Sequence, residues 1–239
     1  MHHILNTAMK SALLLIACSG VLSAAPLVYK MPAGTSFQLV TSTDTELPIV
    51  GPKHVDVTAS VQVQSCTAEG MQLQQQVVSQ IPGQPPLTLD LGAMLSPEGA
   101  ISNITGVNLA DPKFALVAKN AAMALPPLPN QEVSVGMTWE DEKPLYLPKL
   151  PIPGVPESVR LHTSYKITSI AKQGDRDVCT LEVNMKEADG SKVKVTATGT
   201  FVVEAATGKP VSSHLQGEAS VRAILKTFRV PFQVDVAVK

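Results

Sequence analysis

Few residues of this 239-residue chain have the types and spacing that catalysis requires. His54, His162 and His214 stand apart from one another, within or at the ends of predicted strands. The consecutive acids Glu140-Asp141-Glu142 are typical of a solvated surface, because paired-carboxylate catalysis needs opposed groups from separate elements. The sequence contains no nucleophile-elbow, zinc-protease, phosphate-loop or dinucleotide-binding motif. We therefore expect no catalytic residue, no metal site, no cofactor and no enzyme activity.

The first 25 residues contain chemistry of another kind, an export signal. Lys10 precedes the apolar run from Ser11 to Ala17, which is too short to span a membrane as a mature helix. Leu15-Ile16-Ala17-Cys18 resembles a bacterial lipobox, in which Cys18 would become the lipid attachment site. Ordinary signal-peptidase cleavage between Val21 and Ala25 is the alternative. The sequence thus predicts export, as a lipoprotein on the periplasmic side of the outer membrane or as a periplasmic or secreted protein.

Two further cysteines, Cys66 and Cys179, follow the signal. An oxidising compartment would allow a disulfide between them, and two unpaired thiols are the alternative. Cys179 shares the inward face of its predicted strand with Leu181, whereas Cys66 is out of phase with the valines that precede it. Neither a CxxC motif nor a Cys/His cluster indicates a metal site.

Composition limits the classes of partner. The chain has 19 basic and 20 acidic side chains and no basic patch, which argues against nucleic acid. Hydrophobic residues make up 44% of the chain, which is enough to bury a core. The partners that we expect are a membrane through the lipid on Cys18, an apolar ligand or another envelope protein.

Alternating apolar and polar residues predict β-strands over most of the chain. Apolar residues alternate with polar ones from Val55 to Val63, from Val159 to Ile167 and from Phe232 to Val238. We predict a mainly β fold, a long curled antiparallel sheet resembling a half-barrel, with residues 26–239 as one domain. Two similar meanders, 27–110 and 130–239, would form its halves. Ser60, Ser65 and Gly70 recur 104 positions later as Ser164, Ser169 and Gly174. A duplication would explain this recurrence, and the regular spacing of any β-meander is the alternative.

A helix predicted at 111–125 would join the two halves. Asp111 is a good N-cap, and apolar residues follow at helical spacing until the prolines after Leu125. We expect the helix to pack on the concave face of the sheet, either as a core helix or as a lid over a ligand cavity. The residues predicted to line that cavity are Phe114, Val117, Ala121, Leu125 and Trp139.

A proline-rich stretch at 141–158 follows the only tryptophan. Proline at this density excludes a helix or a central strand, so we predict an extended edge or a loop. The apolar residues between the prolines would either pack over the core or present an adhesive surface.

The segment from Pro129 to Trp139, with the pattern Val133-Ser134-Val135-Gly136-Met137-Thr138-Trp139, resembles an uncharacterised family of exported bacterial β-proteins. That family has no assigned chemistry to transfer to residues here. Long curled strands around one apolar helix are also similar in fold pattern to the Lol-type lipoprotein carriers, although a fold does not determine a function.

Two functions follow from these features. The first is a non-enzymatic envelope protein that binds an apolar ligand, a lipid or acyl chain, between the curled sheet and the helix. The alternative is a structural or protein-interaction module with a filled core, which would use Leu145 to Pro156 as a docking edge. A cavity and a packed core consist of the same residue types, so the sequence is compatible with both functions.

Overall fold

The computed structural model describes residues 25–47, 51–80, 83, 85–108, 110–111, 114–116, 120, 125–147, 155–222 and 227–239. These residues form one antiparallel sheet of eleven strands. The strands are β1 Ser36–Leu47, β2 Gly51–Thr67, β3 Gly70–Gln80, β4 Leu87–Leu95, β5 Ile101–Thr105, β6 Thr138–Tyr146, β7 Ser158–Gln173, β8 Arg176–Glu187, β9 Val193–Glu204, β10 Pro210–Arg222 and β11 Thr227–Val238. The prediction of a mainly β antiparallel fold is confirmed. The predicted signal segment and Cys18 lie outside the described residues, apart from Ala25.

Two runs of consecutive strands make up the sheet. Its order is β5-β4-β3-β2-β1-β11-β10-β9-β8-β7-β6, so the first strand pairs with the last at the centre. We call β1–β5 the first half and β6–β10 the second half, with β11 between them. β5 and β6 form the two edges, and the sheet is not closed.

The sheet curls, because a short N-terminal segment bonds to both halves at once. The backbone N–H of Tyr29 donates to the carbonyl of Pro97, in the turn after β4, at 2.8 Å. The next residue, Lys30, donates to the carbonyl of Thr207, in the turn before β10, at 2.9 Å. Across a flat sheet β4 and β10 would lie roughly 24 Å apart, at about 4.8 Å per strand. Consecutive residues can reach both turns only if the two halves curve towards each other.

The two halves also share an irregularity at matching positions. The register of β2 shifts between Val63 and Ser65, and the register of β7 shifts between Ile167 and Ser169, 104 residues later in each case. A β-bulge bends its strand and increases the local twist. The same bend therefore occurs in corresponding strands, at the spacing by which the small residues recur in the sequence.

The predicted helix is supported only in part. Phe114, Ala115, Leu116 and Asn120 are helical, whereas residues 112–113, 117–119 and 121–124 lie outside the described residues. A continuous central helix over 111–125 is therefore not supported, and the structure shows one short helical piece. The expectation rested on helical spacing of apolar residues, which establishes a preference but not the length of an element.

The proline-rich stretch begins as an edge strand, as predicted. Pro144 lies in β6, which pairs with β7 on one side only. Proline is tolerated there because an edge strand has no second neighbour that needs its missing N–H. Leu145, Leu147 and Val155 pack against a buried cluster of the second half, so these described parts of the stretch cover the core.

Two clusters of buried side chains fill the inner side of the sheet. The larger cluster joins the halves through the N-terminal segment, with Leu27, Tyr29 and Met31 packed against residues such as Val63 and Ile167. The smaller cluster belongs to the second half and consists of Val159, Leu161, Val193 and Val195.

Candidate functional site

An apolar cavity lies on the inner face of the first half. It has a volume of about 150 Å³. All five strands of this half contribute side chains, and five residues from outside these strands help to cover it. The described lining residues are Met31, Phe37, Leu39, Val61, Leu73, Gln75, Leu89, Leu91, Ala93, Leu95, Ile101, Ile104, Val107, Phe114, Leu125 and Pro210.

The lining follows directly from the alternation of the strands. In β4 the inward positions from Leu87 to Leu95 are all apolar, and the polar Thr88 and Asp90 lie at the intervening positions. Successive side chains of a strand point to opposite faces, so one strand supplies an apolar row to the cavity and a polar row to the solvent. The carboxylate of Asp90 accepts a hydrogen bond from the outward-facing Gln76 at 3.1 Å.

The cavity is closed at one end and open at the other. Along the inner face of β4, exposure rises from 1% at Leu95 to 50% at Leu87. The neighbouring β3 shows the same gradient, from the buried Met71 and Leu73 to the half-buried Val77. An apolar molecule could therefore enter from the open end and place its end against the closed one.

The N-terminal segment forms the closed end. Tyr29 is buried, and its hydroxyl donates to the carbonyl of Pro126 at 2.9 Å. Burial raises the pKa of this hydroxyl well above the usual value, so it stays a neutral donor. Gly99 and Gly208 allow the turns on the two sides of the segment to approach it closely. A Cβ at these positions would lie 2.8 Å from the Tyr29 ring and 2.5 Å from the Val28 carbonyl oxygen, respectively.

The segment that contains the short helical piece connects the cavity to the opposite edge of the sheet. Phe114 and Leu125 line the cavity in the first half. Between them, the amide of Asn120 donates to the carbonyl of Tyr146 at 2.8 Å and accepts from the Tyr146 N–H at 2.9 Å. This amide pairs with the last residue of β6 as a neighbouring strand would. The cover of the cavity is thus attached to the second half.

The structure places the predicted cavity residues in different regions. Phe114 and Leu125 contribute to the lining, whereas Val117 and Ala121 lie outside the described residues. Trp139 is not among the described lining residues. It lies in β6, where it stacks on Tyr165 with a centroid distance of 5.5 Å and donates from Nε1 to the carbonyl of Pro127 at 3.0 Å.

Sequence reasoning missed the strand residues that make up most of the lining. Leu73 and Leu91 lie in stretches where apolar and polar residues alternate, which places the apolar residues of each strand on one face. The missing information was which apolar face stays uncovered, because that depends on segments distant in sequence. Gln75 was also missed, although it lies at an inward position between Leu73 and Val77.

The isolated histidines of the sequence lie beside carboxylates on the outer face. His54 places Nδ1 2.7 Å from Asp44 and Nε2 3.1 Å from Asp56. Hydrogen bonds that the carboxylates of Asp44 and then Asp56 accept raise the pKa of His54 above its usual value. His214 lies 2.6 Å from Asp235 on the neighbouring central strands. In these pairs the imidazole bonds to acids rather than to a nucleophile.

Both described cysteines are free thiols, so the disulfide alternative is wrong. Cys66 is exposed, whereas Cys179 is buried, as its phase predicted. Burial, with a smaller contribution from Asp177, raises the pKa of the Cys179 thiol to about 11. A thiol that stays protonated is a poor nucleophile.

Two absences apply to the part of the chain that the structure describes. No group of three or more histidines, cysteines or acids there has the arrangement of a metal site. No described helix has the length and apolar character needed to cross a membrane.

Comparison with known proteins gives no family for this chain. No protein-family model matches it, and no curated protein matches it. A structural comparison finds a protein described as a candidate exported protein with a YmcC-like fold, from Bacteroides fragilis. The TM-score is 0.30 at 11% identity, over 90% of this chain and 99% of that chain. DynF from the dynemicin biosynthesis pathway of Micromonospora chersina gives a TM-score of 0.23 at 7% identity, over 90% and 85% of the two chains. Similarities this low do not indicate a function.

Proposed function

We propose that the protein is exported to the bacterial envelope and holds the acyl chain of a lipid in the cavity of the first half, without catalysing a reaction. The single observation that carries this proposal is the one-sided apolar cavity, buried at Leu95 and open towards Leu87. Ligand sites are typically concave and apolar, with few polar groups.

The size of the cavity limits what it holds. A dry apolar cavity of about 150 Å³ accommodates a molecule the size of benzene, or roughly six carbon atoms. A longer acyl chain would continue along the inner face towards the open end, where Val55, Val57 and Val77 are only half-buried. Burial of each further methylene would contribute about 0.8 kcal/mol.

If Cys18 carries a lipid, as the resemblance to a lipobox predicts, the cavity would lie beside a membrane. Residues 19–24 lie between Cys18 and the first described residue, Ala25, and the seven residue steps from Cys18 to Ala25 span at most about 25 Å. The segment from Leu27 to Met31 is fixed in the core. A lipid on Cys18 would therefore hold the sheet close to the membrane surface, within reach of its lipids.

Mass spectrometry of the native protein tests the location. We expect a mature N-terminus at Cys18 that carries lipid. A free amino terminus at or after Ser23 would eliminate the lipoprotein while leaving export, and an intact Met1 would eliminate export as well.

Native mass spectrometry of protein purified from its own envelope tests the ligand. We expect co-purifying lipid, and we expect Ala93→Phe to lower the lipid content because the new ring fills the cavity. Ala237→Phe is the matched control, since Ala237 is exposed on the outer face of β11. Ligand-free wild-type protein would contradict the lipid-binding proposal, as would an Ala93→Phe variant that folds and keeps its full lipid content.

The rival function, a structural or interaction module that docks through Leu145 to Pro156, receives less support. Leu145, Leu147 and Val155 all pack against the buried cluster of the second half. These residues are therefore occupied within the chain. If neither the wild-type protein nor the Ala93→Phe variant co-purifies with lipid, this interaction module is favoured.

A further inference from the structure

One polar side chain interrupts the apolar lining of the cavity. Gln75 lies opposite Val61 on β2 and opposite Leu91 on β4, so both of its cross-strand neighbours are apolar. It is half-buried, and its amide forms no hydrogen bond with a described residue. An amide held among apolar side chains loses hydrogen bonds to water, and a ligand with a complementary group would restore one.

The position of Gln75 along the cavity indicates which part of a ligand it would meet. Leu73, the preceding inward residue, is buried towards the closed end, and Val77, the following one, is half-buried towards the open end. Gln75 therefore lies at the boundary between the enclosed and the accessible parts of the inner face. A ligand with its hydrocarbon end beside Leu95 would present its more polar portion at this boundary.

The charges of the lining residues determine which polar groups of a ligand the cavity favours. None of the described lining residues is charged. A carboxylate would find no cation among these described lining residues, and burial of an unpaired charge is strongly unfavourable. A neutral ester or amide carbonyl needs only one donor, which the Nε2 of Gln75 can supply.

We propose that Gln75 donates a hydrogen bond to the carbonyl of a fatty acyl ester or amide, whose hydrocarbon end lies at the closed end near Met31 and Leu95. This inference rests on the proposed lipid-binding function. It specifies the ligand as a neutral acyl derivative rather than a free fatty acid, and it assigns the selection to one residue.

Titrations followed by NMR on the full mature chain test the inference with three small probes. Methyl hexanoate carries the carbonyl, benzene fills the cavity without a hydrogen-bonding group, and hexanoate carries the charge. We expect benzene and methyl hexanoate to shift signals of the lining residues and hexanoate to bind much more weakly. The side-chain amide signals of Gln75 should move with methyl hexanoate.

Substitution of the amide separates its role from that of the apolar lining. Gln75→Met keeps the length of the side chain and removes the donor, so we expect affinity for methyl hexanoate to fall roughly three- to tenfold. Affinity for benzene should change by less than about twofold, since benzene forms no hydrogen bond with the amide. Gln74→Met is the matched control, because Gln74 precedes it in the same strand and is exposed on the outer face.

The outcomes distinguish this inference from the proposed function. If neither benzene nor methyl hexanoate binds to the wild-type protein, the cavity is not a ligand site and both proposals fail. If both probes bind and Gln75→Met leaves the affinity for methyl hexanoate unchanged, the role of Gln75 is overturned and the apolar site stands. Hexanoate binding as tightly as methyl hexanoate would overturn the selection for a neutral carbonyl.

Discussion

The two halves of the sheet use the same alternation of residues and produce different interiors. In the second half the inward residues of β7 are buried along most of the strand, from Val159 to Ile167. In the first half the inward residues of β4 range from buried at Leu95 to half-exposed at Leu87. The difference teaches that alternation defines an apolar face, whereas the segments that cross over this face decide whether it becomes a core or a cavity.

Two alanines at the repeat spacing show the contrast locally. Ala93 in β4 lines the cavity. Ala197 in β9, 104 residues later, is buried beside Gly217, where a Cβ would lie only 2.7 Å from the Ala197 methyl group and 2.8 Å from the Phe232 ring. The methyl group of Ala197 is therefore packed against Gly217, whereas Ala93 lines the cavity.

Truncation of a leucine should distinguish the halves most strongly. Leu181 is fully buried, so Leu181→Ala should lower the free energy of unfolding by about 2–5 kcal/mol. Leu91 is half-buried beside existing free space, so Leu91→Ala should lower it by about 1 kcal/mol. Chemical denaturation of both variants checks this order. Equal losses would mean that the first half is packed as tightly as the second.

Enlargement of the paired alanines tests the same contrast in the opposite direction. Ala197→Leu should destabilise the protein by about 1–3 kcal/mol, because added methylenes in a filled core force side chains and backbone to shift. Ala93→Leu should be close to neutral, since its new methyl groups enter the cavity. Thermal unfolding measures both, and the comparison fails if Ala93→Leu is the more damaging substitution.

The amide link between the halves has a smaller expected effect. Asn120→Ala removes two hydrogen bonds to Tyr146, each with a net contribution of about 1 kcal/mol. We expect stability to fall by about 1–2 kcal/mol and the exchange of a bound apolar probe to become faster, because Phe114 and Leu125 lose an attachment. Stopped-flow release of a fluorescent apolar probe measures the second effect. Unchanged release kinetics would show that this segment does not cover the cavity.

Changes to the ion pairs of the outer face should have the smallest effect on the difference between the two halves. Asp44 and Asp56 raise the pKa of His54, so any stability from these contacts is present below the pKa of an unfolded histidine, about 6.5, and is lost as the pH rises through the higher folded value. We expect an NMR titration midpoint above 6.5 for His54 and a lower one in Asp44→Asn. Probe affinity should stay constant across this range, because His54 lies outside the cavity. An affinity that follows the titration of His54 would contradict the separation of the two faces.

The sequence predicted the strands and the edge well, because these depend on local patterns. Alternation from Val55 to Val63 and the proline in β6 each act within a few residues of chain. Cys66 is out of phase with the preceding valines in the sequence, and the structure explains this by a bulge after Val63. The run from Leu27 to Tyr29 begins the first predicted meander, 27–110, yet its three consecutive residues are all buried without strand pairing.

The cavity was harder to predict, because its boundaries come from distant parts of the chain. The N-terminal segment closes one end, where the N–H of Tyr29 bonds to Pro97 and the N–H of Lys30 bonds to Thr207. Phe114 and Leu125, from the predicted helix at 111–125, contribute to the cavity lining, whereas the described lining does not include Trp139. Its strand lies on the other edge of the sheet, which no local pattern reveals.

Crystals pressurised with xenon test the central claim most directly, because xenon occupies apolar cavities of this size. The account predicts a xenon peak on the inner face of the first half, among Leu73, Leu91 and Phe114. It predicts no peak among Val159, Leu161 and Val195 of the second half. A first half without xenon, or a xenon site within the second cluster, would contradict it.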